Sequence, residues 1–221
     1  MKILTSFFLL FSILVWCTQI NTDSTDPVLK DDYLSSQLLQ NTQTGSLSEA
    51  EESSLLQMRE EEKLALDVYS KLYDVWKINV FKNISQSEST HTSAVKLLLD
   101  RYGIADPAKT EAGKFSSSEL QKLYDTLVAK WSQSVLDALI VGATIEDLDI
   151  YDIQTQKKDI DNEDILLVYE NLERGSRNHL RSFMRQIKNQ DGTYVPQYIS
   201  QEYFDSILKS AQERGWNGRN H

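Results

Sequence analysis

Glycine and proline are scarce in this chain, 8 and 3 residues in 221. A many-stranded sheet needs both at its turns, so punctuation this sparse argues against one and favours long helices. Cysteine occurs once, at Cys17, inside an N-terminal apolar stretch, which leaves the rest of the chain without disulfides or thiolate chemistry. Positive charge is in deficit: 23 Lys and Arg face 33 Asp and Glu, for a net charge of -10. Such a surface repels phosphate backbones and anionic membranes, so nucleic acid is not an expected partner. Long apolar runs are missing too, since residues 7–16 fall short of the ~20 that a membrane span requires. No Gly-rich phosphate loop, Ser-His-Asp phrase or zinc spacing is present.

What is there divides into four parts. Lys2 followed by the apolar residues 7–16 reads as a signal peptide, residues 1–17, with export of the mature chain. Cleavage after Cys17 would put Val15 and Cys17 where small residues are usual and leave no cysteine; a lipid on Cys17 is the weaker alternative, because Trp16 precedes it. With the signal removed, no stable membrane span is expected. Residues 18–50 are polar and aperiodic and read as a disordered linker. Residues 51–190 carry helical periodicity, and 191–221 a C-terminal extension packing on it. Hydrophobic residues make up 40% of the chain, enough for a real core.

The expected fold is all-α: a four-helix bundle with an extra short helix and a C-terminal helical strap. The first helix starts at a capping box at Ser48 and runs to about Trp76, with Met58, Glu62, Ala65, Tyr69 and Leu72 on one stripe. Glu60 and Glu61 are expected to face water, and Glu62 either joins them or turns inward. The second helix carries Ile84, Glu88, His91, Val95 and Leu98 inward and ends before Gly103. Two starts are open for it: a capping box over residues 85–88, which would occupy Glu88, or a cap at Asn79, which places Glu88 level with the core. A short helix follows Ser116 or Ser117. The third long helix starts near Ser132 or Ser134, with Leu139, Ala143, Glu146, Ile150 and Ile153 on one side and most acids of residues 146–149 expected in water. Gly142, one turn before Glu146, implies a close neighbour at the backbone, since glycine costs about 1 kcal/mol against alanine in a helix. The fourth, capped near Asn162, carries Leu172, Gly175, Ser176, His179 and Phe183. A short amphipathic helix at about residues 200–212 is the strap, and His221 is expected in solvent.

Glu88 and His91 stand three residues apart, so one helix face can offer both to a single ion. His179, Glu62 and Glu146 fall on the inner faces of three other helices. That is the layout of a metal site inside a helical bundle.

The same residues resemble a known pattern. Glu62 with Ala65 and Tyr69, followed by Glu88-Ser89-Thr90-His91, resembles the first half of the ferritin-like di-iron carboxylate superfamily. Residues 58–65, 141–146 and 175–180 are similar to the recurring phrases of one of its members, domain of unknown function 2202, over roughly residues 55–199. The resemblance implies that Glu62, Glu88, His91, Glu146 and His179 are ligands to one or two Fe or Mn ions. Glu88 would bridge or chelate, the histidines would give nitrogen and the other glutamates terminal carboxylates, with Tyr69 supporting them. Helix four departs from the pattern: Ser176 stands where a fourth carboxylate is usual. A second ion would then need Asp149, Glu173 or a bridging hydroxide.

Two functions follow. One is an exported metal-dependent oxidoreductase or metal-handling protein; oxygen and nitrogen donors without thiolate suit Fe and Mn. The other is a non-catalytic bundle that keeps the fold as a binding or structural module, which the missing carboxylate favours. A metal ion is the expected partner, and assembly into a homo-oligomer stays open.

Overall fold

The computed structural model describes residues 46–131 and 133–214. The expected signal peptide with Cys17, the linker up to residue 45 and His221 lie outside them. Six α-helices make up the described chain: α1 (Glu49–Trp76), α2 (Asn79–Tyr102), α3 (Ser118–Trp131), α4 (Val135–Gln156), α5 (Glu163–Asn189) and α6 (Gln201–Lys209). No strand occurs among the described residues, so the all-α expectation holds.

Local chemistry sets the helix starts. Ser48 accepts a hydrogen bond from the Glu51 amide at 3.2 Å while its own amide donates to Glu51 Oε2 at 2.9 Å, the reciprocal box the sequence predicts. At α2 neither expected cap forms. The cap position is Ile78 without a side-chain bond, Asn79 is the first helical residue, and Ser85 donates to the Lys82 carbonyl instead. Glu88 therefore lies between two and three turns inside the helix, free of capping duty. Ser117, Ser134 and Ser200 cap α3, α4 and α6.

The helices form two hairpins. α1 packs on α2 after the two-residue connection Lys77-Ile78, and α4 packs on α5 across a short 3-10 turn at Lys157–Asp159. The hairpins face each other, α2 against α5 and α1 against α4, while α3 lies over α1 and α4. The strap α6 lies on α5 and adds Phe204 and Ile207 to the core, ending three residues earlier than expected.

Several acids expected in water are buried, because this cover consumes them. Glu60 accepts from the Ser116 and Ser117 amides at 2.5 and 2.9 Å, holding the start of α3 on α1. Its neighbours Arg59 and Lys63 reach Asp106 and the Glu111 carbonyl in the 103–117 loop. Asp147 accepts from the Tyr194 hydroxyl and from the amides of Gln197, Tyr198 and Ile199, fixing the segment before α6. A carboxylate facing the outside of its own helix becomes interior once a loop that needs acceptors crosses it.

The apolar core is in two clusters. One contains Leu64, Val68, Tyr69, Phe81, Ile84, Leu180 and Phe183; the other contains Leu55, Met58, Val95, Leu98, Ile153, Ile165 and Leu172. On α1, α2 and α5 the break between clusters falls at Glu62, at Glu88 and His91, and at Ser176 and His179 respectively. A polar layer crosses the bundle there.

Candidate metal centre

All five residues singled out in the sequence meet in that layer. Glu62 is 2% exposed, Glu88 1%, Glu146 0%, His91 9% and His179 8%. They form two groups that share one member: Glu62, Glu88 and His91 on one side, Glu88, Glu146 and His179 on the other. The two oxygens of Glu88 are divided between them. Oε2 lies 2.8 Å from His91 Nδ1, which is 3.3 Å from Glu62 Oε2. Oε1 lies 2.8 Å from His179 Nδ1, which is 3.4 Å from Glu146 Oε2. The two rings stack with centroids 5.6 Å apart.

These spacings test whether the residues fit a metal. Donor atoms held about 2.1 Å from one ion at angles of 90° to 110° stand about 3.0–3.4 Å apart. Both groups come close to that range. Moreover, Glu88 Oε1, Glu146 Oε2 and His179 Nδ1 are buried and face only one another, at 2.8 and 3.4 Å from the ring nitrogen, with no well-formed hydrogen bond to any other group. Buried polar atoms in native proteins are almost always satisfied. Three donor atoms that face one another and little else form a group that could hold an ion.

The helices position each donor for a local reason. The edge of the His91 ring meets α5 at Gly175, where an added Cβ would stand 2.5 Å from ring atom Cε1 and 2.7 Å from Nε2. Gly142 meets the expectation of a close neighbour: a Cβ there would stand 2.4 Å from the Phe183 ring. The Tyr69 hydroxyl donates to Glu146 Oε1 at 2.6 Å and so orients the other oxygen toward His179.

Electrostatics follow from burial and crowding. Burial pushes Glu62 up to about 7 against the pull of His91, and raises Glu146 as well. For Glu88 burial is outweighed by the two histidines, which hold it well below the carboxylate range. Burial would lower the histidines, but Glu88 with Glu62 raises His91 well above its usual value, and Glu146 with Glu88 lifts His179 to about 9. The carboxylates thus favour the protonated form of both imidazoles.

The two acids weighed as further ligands, Glu173 and Asp149, are placed differently. Glu173 is taken up by Arg177 at 2.8 Å and Lys157 at 3.2 Å, outside the five-residue group. Asp149 is buried, its carboxyl raised well above normal by burial and by Glu146, Glu62 and Glu88. Ser176, also buried, donates to the Leu172 carbonyl at 3.2 Å. Sequence reasoning overlooked Glu61 and Asp152, which lie against one another next to Asp149. The signal for Asp152 was available, since residues 146, 149 and 152 are acidic at steps of three on one helix.

Comparison with known proteins agrees on the extent of the domain. The uncharacterized protein MJ0754 of Methanocaldococcus jannaschii is 54% identical over 172 residues, covering 77% of this chain and 93% of that protein. The crystal structure of the hypothetical protein MJ0754 superposes with a TM-score of 0.77 at 51% identity, covering 78% of this chain and 99% of that chain. The profile of the uncharacterized protein domain DUF2202 matches residues 51–211, from the capped start of α1 to just beyond the strap, and this chain belongs to that family.

Proposed function

We propose that Glu62, Glu88, His91, Glu146 and His179 would hold two divalent transition-metal ions, iron or manganese, with Glu88 offering one oxygen toward each, and that the bundle serves as a ferritin-like metal-dependent oxidoreductase acting on a small oxidant. The observation that carries this reading is the division of Glu88: each carboxylate oxygen faces its own histidine and its own terminal glutamate. Mixed oxygen and nitrogen donors without thiolate suit these metals. When bound, such ions supply one-electron chemistry and coordination positions for O2 or peroxide.

The chain's own residues do the rest. Glu62 and Glu146 offer one terminal carboxylate to each position, and His91 and His179 one nitrogen each. Tyr69 fixes Glu146, and the bare backbone at Gly175 leaves room for the edge of the His91 ring. Burial of all five excludes bulky substrates and bulk water alike. Three carboxylates fall one short of neutralising two divalent ions, so a hydroxide or an ionised Asp149 completes the balance.

The deciding measurement is metal content and Mn(II) titration of untagged protein. Wild type should bind close to two ions, and replacing Glu88 and His91 together by Ala should abolish both. Equal binding by the two proteins would remove the site. We further propose that the chain is exported, on the strength of Lys2 and the apolar residues 7–16. Intact mass of the mature protein should place its N-terminus near Thr18; retention of residues 1–17, or a lipid on Cys17, would overturn that.

A further inference from the structure

The five residues of the centre are not equally deep. The side chains of Glu62, Glu88 and Glu146 are at most 2% exposed, whereas those of His91 and His179 are each 11% exposed. The layer therefore comes nearest to solvent at its two rings. His91 reaches α5 with its Nε2 edge at the bare backbone of Gly175, which places this approach at the α2–α5 seam. Asn178 follows Gly175 by three positions and shares its face of the helix.

The segment after α6 is tied to α5 at that point. Asn178 holds Glu213 twice: its Nδ2 donates to the Glu213 carbonyl and its Oδ1 accepts from the Glu213 amide, both at 2.9 Å. The Glu213 carboxylate accepts from Arg177 Nε at 2.9 Å and Nη2 at 2.5 Å, and from Arg181 Nη2 at 2.8 Å. Arg181 also donates to the Ile207 carbonyl at 2.8 Å and to Ser210 Oγ at 2.6 Å, which joins the end of α6 to the same clamp. Apolar anchoring stops at Ile207; residues 208–212 are exposed, and Glu213 is half-buried. Polar bonds to residues that flank His179 are thus what keeps this segment down.

We propose that residues 208–213 are a latch over the imidazole side of the layer, held shut by Glu213, and that its opening at the α2–α5 seam admits ions and small solutes to His91 and His179. The two-pronged grip of Arg177 on a carboxylate gives the closed state a defined position. A segment without buried apolar contacts opens locally far more readily than the core beneath it. That the traffic is metal rests on the proposed function, but control of access to the rings does not.

Metal-free, full-length protein tests the latch without reference to any ion. Diethyl pyrocarbonate acylates accessible imidazoles, and peptide mass spectrometry follows His91 and His179 separately. Glu213→Ala removes three hydrogen bonds between charged groups and should raise both rates about tenfold or more. Glu51→Ala, which removes a comparable carboxylate clamp at the start of α5, should leave them at the wild-type value. Unchanged labelling in Glu213→Ala, or an equal rise in Glu51→Ala, overturns the latch. In Mn(II)-loaded protein, Glu213→Ala should speed release to excess chelator by a similar factor at unchanged Kd, because a gate alters entry and exit alike. Release at the wild-type rate, or a Kd that weakens in step with release, overturns the latch as the port. Faster labelling in a protein that binds no Mn(II) keeps the latch and removes the metal reading instead. Glu213→Gln, which keeps the shape and loses the charge, serves if Glu213→Ala fails to fold.

Discussion

Single residues decide how complete the centre is. Ser176 precedes His179 by three positions, so the two share a helix face, and Ser176 is buried beside the layer. Ser176→Glu adds the missing negative charge. If two divalent ions sit there, Mn(II) should bind about tenfold more tightly, equivalent to about 1.4 kcal/mol. In a core that holds no metal, the same change buries an unpaired charge and destabilises the fold by several kcal/mol. Thermal melts with and without Mn(II) distinguish the cases: a variant that is less stable and not rescued by metal shows that residue 176 does not face an ion.

At the scale of elements, single carboxylates tie helices together. Glu51 closes the α1 capping box with Oε2, while Oε1 accepts from the amides of Asp161 and Asn162 and from the Asn162 side chain at 2.7 Å. It thereby joins the starts of α1 and α5. Glu213 does the same for the segment after α6, pairing with Arg177 and Arg181. Burial pushes Glu51 up, but the Ser48 and Asn162 hydrogen bonds outweigh it and hold the carboxyl at about 2 instead of 4.5. A depressed folded-state value means the contribution is fully present above pH 4.5 and is lost as pH falls toward 2. Glu51→Ala should therefore cost about 2 kcal/mol near neutrality, with the gap from wild type closing between pH 4.5 and 2. Denaturant unfolding across that window checks it; a gap independent of pH would mean that Glu51 acts through packing alone.

Among the described residues the apolar core is cut in two by a charged layer. Apolar burial stabilises both sides, while in between Glu62, Glu88 and Glu146 face the two imidazoles. An ion that binds the folded chain alone raises stability by mass action, about 2.7 kcal/mol at a hundredfold excess over Kd. For a chain of this size that corresponds to about 5–10 °C in Tm. Wild type should show this rise with Mn(II) and lose it on chelation, whereas the Glu88→Ala, His91→Ala variant should show neither. A melt indifferent to metal in both proteins would contradict metal binding in the layer.

The sequence by itself determined the helices, their inner faces and the five residues that meet. Those follow from local rules: serine caps, apolar steps of three and four, and polar residues interrupting an apolar stripe at Glu62, Glu88, His91, Glu146 and His179. Even the close approach at Gly142 was legible, because glycine inside a helix is costly unless a neighbour needs the space. Only the tertiary structure decided that Glu60, Asp147 and Glu61 are interior, and that Glu173 is spent on Arg177 and Lys157. Periodicity describes which way a side chain leaves its own helix. It is silent on which loop or helix later covers that face, and burial of a charge depends on that cover and on the donors it brings.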